Sequence, residues 1–170
     1  IEPLTASSPR WLVESFQADE QLLEAQALGR PVRVIQLTRD VRSWVHSESR
    51  RGVERHGRGG TVGWRSMLRW WRINRRWEQR LNRSGCAVFR LGYEELALAP
   101  EQALRKICAW LEIGFDPAML QPGLNSSSHI VSGNRMRFDP GQSQAIRYDA
   151  AWLSSAALSL RVAPLMPAVA

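Results

Sequence analysis

The chain is poor in three features that often define a protein class: cysteine, lysine and long apolar runs. Its 170 residues include two cysteines and one lysine, against 22 arginines. Two cysteines cannot build a disulfide framework, and the composition is unlike that of a collagen or a coiled coil. No stretch reaches the roughly 18 uninterrupted apolar residues of a membrane helix, because Arg161, Pro164 and Pro167 interrupt the apolar tail. These absences favour one soluble domain of mixed composition.

The beginning of the chain also lacks familiar signals. The first ten residues have no basic segment followed by an apolar one, as a secretory signal would, and Ile1 is not an initiator methionine. We therefore expect a processed chain or a fragment, with the cytoplasm as the favoured compartment. Cys86 and Cys108 share no metal-ligand spacing with the three histidines. Buried free thiols are the favoured interpretation, and no metal site is predicted.

Positive charge is concentrated in the middle of the chain. The formal net charge is +7, yet the segment 39–90 contains 14 arginines and only four acidic residues. A basic segment within an otherwise slightly acidic chain predicts an anionic partner, such as a phosphorylated small molecule, a nucleic acid or a membrane surface. The preference for arginine over lysine can also reflect genome composition, so charge alone does not choose among these partners.

Short apolar runs alternate with helical patterns along the chain. The predicted strands are 11–15, 32–38 and 86–91, and the predicted helices are 19–28, 41–53, 62–83, 100–111 and 149–160. This order predicts a single α/β domain over residues 1–170, with a parallel sheet and helices on both of its faces in three layers. Ligands of such sheets bind at the carboxyl ends of the strands. The residues that directly follow Ser15, Thr38 and Leu91 are therefore the first candidates for a site.

An arginine and a serine eight residues apart follow the clearest strand. Arg39 leaves the strand 32–38, and Ser47 lies in the helix that follows, about 10 Å along its axis from Asp40. A guanidinium and a hydroxyl so placed can bind one anion from two sides. Asp40 can orient Arg39 or cap the helix, and the cap is favoured.

This segment resembles the 3′-phosphate-binding segment of sulfotransferases that use 3′-phosphoadenylyl sulfate. It reads Arg39-Asp40-Val41-Arg42-Ser43-Trp44-Val45-His46-Ser47. The resemblance implies that Arg39 and Ser47 contact the 3′-phosphate of the cofactor, and that the domain has the P-loop nucleoside-kinase-like fold of that family.

Two later segments resemble the same family in the same order. Arg90-Leu91-Gly92-Tyr93-Glu94-Glu95-Leu96, with the Pro-led helix after it, is similar to the family's Tyr-Glu-Asp-Leu segment, which implies that Tyr93 lies near the adenine. Ser132-Gly133-Asn134-Arg135-Met136-Arg137-Phe138 resembles a Gly-Asn-x-x-Arg-Phe stretch of bacterial and carbohydrate-type members. By this analogy Arg137, and also Arg135, reach a phosphate. The resemblance extends from about Trp11 to Trp152.

The chain also departs from the family pattern. Family members begin with a strand and a Ser/Gly-rich loop that binds the 5′-phosphosulfate, and nothing before Trp11 resembles that element. We therefore expect a partial domain that lacks this loop. Glu112 stands where a glycine usually follows the Phe/Trp-Leu pair, and Val41 stands where many members have proline.

The resemblance implies transfer of a sulfuryl group to a hydroxyl or amine of a carbohydrate or small molecule, with release of adenosine 3′,5′-bisphosphate. Such chemistry depends on positioning, on cations at the leaving oxygens and on a general base. Glu14, at the end of the first predicted strand, is the candidate base, although a surface or packing role fits it at least as well. His46 and His56 are less well placed alternatives.

Two other functions stay open at this point. A chain without the phosphosulfate loop can be an inactive nucleotide-binding remnant. The basic segment 39–90 can instead bind nucleic acid, which would require exposed aromatic side chains for stacking. The tryptophans of the helix 62–83 recur at intervals of three and four residues, which predicts a buried apolar face and an outer basic face exposed to solvent.

Overall fold

The computed structural model describes residues 31–56, 64–121 and 146–155, together with Val13, Gln26, Ala27 and Gly29; side chains are not described at 51–56 and at 64. By the density of internal contacts the chain divides into two units, residues 1–32 and 33–170. In the first unit, Gln26 and Ala27 are helical. The N–H of Gly29 donates to the carbonyl of Gln26 at 3.0 Å. The φ of Gly29 is 65°, a conformation that commonly ends a helical turn.

The predicted strand 11–15 is wrong at Val13. This residue lies outside any strand and is 87% exposed. A run of five residues is too short for its apolar character alone to establish a buried strand.

Two parallel strands form the sheet of the second unit. Strand β1 is Arg33–Thr38 and strand β2 is Ala87–Gly92. They pair in register from Arg33 opposite Ala87 to Thr38 opposite Gly92. The β-branched and leucine residues of both strands suit a pleated, half-buried surface. The parallel α/β arrangement is therefore confirmed for these two strands, while the three-layer architecture stays a prediction.

Helices connect and follow the strands. Helix α1 is Val41–His56 and helix α2 is Trp64–Ser84, and both lie between β1 and β2 in the sequence. Helix α3, Tyr93–Leu98, follows β2 without an intervening loop, and helix α4 is Pro100–Leu111. The bounds of α4 are those predicted from its leading proline and apolar spacing, whereas α3 was not predicted.

The main cluster of buried side chains joins three parts of the chain. Val41 and Val45 of α1, Met67 of α2 and Trp152 are each at most 7% exposed, and Trp44 and Trp70 pack against them. Trp152 thus anchors the segment 146–155 on the two helices. This packing places that segment beside the residues that follow β1.

The segment 146–155 differs from the predicted helix 149–160. Ala151–Ser154 forms a single 3₁₀ turn, and Ser155 is not helical. The turn begins where the Asp149 carboxylate accepts from the N–H of Ala151 at 3.1 Å. Residues 156–160 lie outside the described part of the chain.

The end of α4 explains one departure from the family pattern. Glu112 has a φ of 59°, in the left-handed region, and caps the helix. Glycine adopts this conformation without steric cost, which is why it is favoured at such a position. Here the glutamate side chain accepts from Nη2 of Arg33 at 2.8 Å.

Within the described residues, no helix combines the length and apolar character needed to cross a membrane.

The buried cluster gives a first prediction. Met67 is 1% exposed, so Met67→Ala is expected to lower the free energy of unfolding by about 3 kcal/mol, because it removes buried surface and leaves a cavity. Ile73→Ala, on the same helix at a position 40% exposed, serves as the matched control and is expected to cost about 1 kcal/mol or less. Urea unfolding measures both values, and equal losses would contradict the packing described here.

Candidate functional site

The candidate site is built around Arg39, the first residue after β1. Only Arg39 and Asp40 separate that strand from α1. The indole N–H of Trp70, on α2, donates to the main-chain carbonyl of Arg39 at 2.9 Å. This bond holds the main chain of Arg39 at the carboxyl end of the strand, where ligands of parallel sheets bind.

Three side chains surround the Arg39 guanidinium. Its Nε donates to Oγ of Ser43 at 2.6 Å, and its Nη2 donates to Oδ2 of Asp149 at 3.2 Å. Its Cζ lies 4.7 Å from the centroid of the Tyr93 ring, which is cation–π geometry. The side chain is 24% exposed. Arg39 is thus held in one orientation while part of it faces solvent.

Asp149 is itself fixed by its neighbours. Its N–H donates to the Tyr93 hydroxyl at 3.3 Å. Partial burial alone would raise the pKa of Asp149. Three interactions outweigh that effect: the hydrogen bond from the N–H of Ala151, the hydrogen bond and charge of Arg39, and the charge of His46. Together they hold the pKa of Asp149 below its ordinary value. Asp149 is therefore ionised at neutral pH and forms an ion pair with Arg39.

Asp40 caps α1, as predicted, and does not bind Arg39. Its Oδ1 accepts from the N–H of Arg42 at 2.7 Å, and the carboxylate accepts from Nε and Nη2 of the same arginine at 3.0 and 2.7 Å. Partial burial would raise the pKa of Asp40, but these bonds and the charge of Arg42 hold it below its ordinary value. The same pairing raises the pKa of Arg42.

Glu94 and Arg42 connect this cap to other elements. Both carboxylate oxygens of Glu94, in the first turn of α3, accept from the N–H of Asp40, at 3.1 and 3.2 Å. The Arg42 guanidinium lies 4.4 Å from the ring centroid of Trp152. The start of α1 is thus hydrogen-bonded to Glu94 of α3, and Arg42 is stacked on Trp152 of the segment 146–155.

Of the other candidate site residues, the structure describes Ser47, Tyr93 and the alternative base His46, which is half-buried on α1. Ser47 is half-buried on α1, one turn beyond Ser43 and on the same side of the helix. The hydroxyl bonded to Arg39 is that of Ser43, a residue that the sequence analysis did not single out. The spacing of four residues between Arg39 and Ser43 is the signal that could have indicated it.

Several candidates lie outside the described part of the chain. These are Glu14, Arg135 and Arg137. His56 is described only in its backbone. The described residues hold no group of three or more histidine, cysteine, aspartate or glutamate side chains that could bind a metal ion.

Most arginines of helix α2 are exposed. Met67 and Leu81 are buried on its inner face, and Trp70, Trp71 and Trp77 are half-buried. The amide of Asn74 donates to the carbonyl of Trp70, one turn earlier in the same helix, at 2.8 Å. A shallow groove on the outer face is lined by Arg65, Leu68, Arg69, Arg72 and Ile73. Half-buried tryptophans on the inner face do not form an exposed stacking surface for nucleic acid bases.

The Asp40 cap gives a second prediction. Asp40→Ala is expected to lower the free energy of unfolding by about 1 kcal/mol, the usual effect of removing a helix cap. Asp40→Asn keeps an acceptor for the N–H of Arg42 and loses only the charge, so its loss at pH 7 should be smaller. Chemical unfolding of both variants measures the difference, and an Asn variant as unstable as the Ala variant would contradict the capping role.

The depressed pKa of Asp40 adds a pH dependence. The unfolded chain binds a proton near the ordinary value of 3.8 and the folded chain only at lower pH. The stabilisation by the carboxylate is therefore complete above that value and is lost as pH falls through the folded-state pKa. The stability gap between the native protein and Asp40→Asn should close over the same range, and a gap that widens on acidification would contradict it.

Comparison with known proteins supports the family resemblance of the sequence. No curated protein and no solved structure matches the chain significantly. A family model described as the sulfotransferase family matches residues 20–117. The match covers more than half of the chain and includes the segments at 39–47 and 90–96, which confirms the family that these segments resembled. The chain belongs to the sulfotransferase family.

Proposed function

We propose that this protein transfers a sulfuryl group from 3′-phosphoadenylyl sulfate to a hydroxyl or amine of a carbohydrate or small-molecule acceptor. The observation that carries the proposal is the Arg39 guanidinium, held at the carboxyl end of β1 by Ser43, Asp149 and Tyr93. A guanidinium fixed in this way suits a phosphate, because its forked donors match phosphate oxygens. Membership of the sulfotransferase family supports 3′-phosphoadenylyl sulfate as the phosphate ligand.

The residues around Arg39 fit the 3′-phosphate end of the cofactor. Arg39 supplies charged donors, and Ser47, further along the same side of α1, supplies a neutral one. Tyr93 is stacked on the guanidinium, so an adenine near Tyr93 and a phosphate on Arg39 would be held by one rigid unit. In the proposal, Arg135 and Arg137 of the segment 132–138 place further positive charge next to the phosphates.

When bound, 3′-phosphoadenylyl sulfate supplies the activated sulfuryl group and its leaving group, adenosine 3′,5′-bisphosphate. In the overall transfer an acceptor oxygen or nitrogen bonds to sulfur, the bond between sulfur and the 5′-phosphate oxygen breaks, and the acceptor loses a proton. The contribution of Arg39 and Ser47 is to fix the nucleotide, which supplies positioning rather than proton transfer. Glu14 is our candidate for the base that takes the proton.

An inactive nucleotide-binding protein is the alternative within the same family. It shares the contacts at Arg39 and lacks the chemistry. Nucleotide titration combined with an assay of sulfuryl transfer by the whole protein separates the two, since both bind the nucleotide and only an enzyme consumes the donor.

The proposal predicts selective binding of a 3′-phosphate. Calorimetric titration should give saturable binding of adenosine 3′,5′-bisphosphate and much weaker binding of adenosine 5′-monophosphate. Arg39→Ala should weaken the bisphosphate about 10- to 100-fold, because a hydrogen bond to a charged group contributes about 1.5–3 kcal/mol. Ser47→Ala should weaken it about 3- to 10-fold, as expected for one hydroxyl.

Arg105→Ala is the matched control for the loss of one arginine. Arg105 is on α4, where it pairs with Glu101 and lies over Phe115, and its substitution should leave nucleotide binding unchanged. Equal affinity for the two nucleotides in the folded protein, or an equal effect of the two arginine variants, would overturn the proposed 3′-phosphate site.

A further inference from the structure

The contacts of Arg39 occupy one particular edge of its guanidinium. The group has a side-on edge formed by Nε and Nη2 and an end-on edge formed by Nη1 and Nη2. Ser43 accepts from Nε and Asp149 accepts from Nη2. Both protein acceptors can therefore share the side-on edge. Within the described residues no hydrogen bond occupies Nη1, so the end-on edge can bind a bidentate anion.

We propose that Ser43 and Asp149 are positioning residues that hold the side-on edge of Arg39, so that its end-on edge binds the 3′-phosphate. The inference rests on the proposed function and adds two residues to it. Neither residue needs to touch the nucleotide. Each acts by restricting the guanidinium to one orientation, which reduces the conformational entropy lost when the ligand binds.

Ser43 is suited to this role by its burial. It is fully buried, on the first turns of α1 beside the core residues Val41 and Val45. A buried hydroxyl requires hydrogen-bond partners, and its 2.6 Å contact with Nε of Arg39 provides one. The helix backbone fixes the hydroxyl, and the hydroxyl in turn fixes the plane of the guanidinium.

Asp149 is suited to it because other bonds already determine its place. Its Oδ1 accepts from Ala151, its N–H donates to the Tyr93 hydroxyl, and Trp152, three residues later, is buried against α1 and α2. A carboxylate held at this many points is a fixed partner for Nη2 and not one that leaves when a phosphate arrives. The two roles have opposite consequences: removing a fixed partner weakens nucleotide binding, whereas removing a displaceable one strengthens it.

The test measures the preference of the protein for a 3′-phosphate. This preference is the affinity for adenosine 3′,5′-bisphosphate divided by the affinity for adenosine 5′-monophosphate. Asp149→Asn should lower this ratio about tenfold and Ser43→Ala about threefold, with the affinity for the monophosphate little changed. Thermal unfolding establishes that both variants are folded.

Each variant has a matched control. Asp116, which also begins a 3₁₀ turn by accepting from an N–H two residues on, at 2.8 Å, is the control for Asp149. Ser49, on α1, donates to the carbonyl of Val45 at 2.9 Å and is the control for Ser43. Asp116→Asn and Ser49→Ala should leave the ratio unchanged.

A double-mutant cycle shows whether the two residues act through Arg39. In an Arg39→Ala background, Ser43→Ala and Asp149→Asn should have no further effect on the ratio. A higher ratio in Asp149→Asn would show that the carboxylate competes with the ligand, and an effect that persists without Arg39 would show a separate role. Either result overturns this inference.

The same data distinguish failure of the inference from failure of the proposed function. A native protein that prefers the bisphosphate, with a preference unaltered by either variant, contradicts only the positioning role. A folded native protein without any preference contradicts the 3′-phosphate site, and the positioning role with it.

Discussion

The arrangement of the site depends on the ion pair and stacking contacts that immobilise Arg39 where β1 ends. Its main-chain carbonyl accepts from Trp70 of α2. Its guanidinium donates to Ser43 of α1 and to Asp149 of the segment 146–155. Tyr93, the first residue of α3, supplies the ring beneath it. Side chains from α1, from α3 and from the segment 146–155 therefore meet at one cation, and α2 holds its main chain. A fixed and partly exposed cation is suited to recognise an anion by orientation as well as by charge.

Hydrophobic packing makes this convergence possible. Trp152 is buried with Val45 and Met67, and its indole N–H donates to the Tyr148 hydroxyl at 2.8 Å. Burial of these apolar side chains holds the segment 146–155 against the helices. Asp149, three residues before Trp152, is thereby placed within hydrogen-bond distance of Arg39. The partly exposed ion pair itself contributes little to stability. Its importance lies in the orientation of Arg39.

Local patterns in the sequence predicted the elements that depend on local interactions. The β-branched run of β1, the Asp40 cap of α1 and the leading proline of α4 each have a short-range physical cause, and each was found as expected. Helix α3 was missed because it follows β2 directly, without a turn that would have indicated a new element. The bond between Arg39 and Asp149 joins residues 110 positions apart, so no periodicity or spacing could have indicated it. The family resemblance pointed to Arg39 but not to the residues that orient it.

The most direct test of this account is a structure of the protein with adenosine 3′,5′-bisphosphate bound. The account predicts the 3′-phosphate oxygens at hydrogen-bond distance, about 2.8 Å, from Nη1 and Nη2 of Arg39, with Ser47 as a further donor. It also predicts that Ser43 and Asp149 keep their bonds to the same guanidinium. A phosphate bound at the outer arginines of α2 with Arg39 unengaged, or an Asp149 carboxylate displaced from Arg39 by the phosphate, would contradict it.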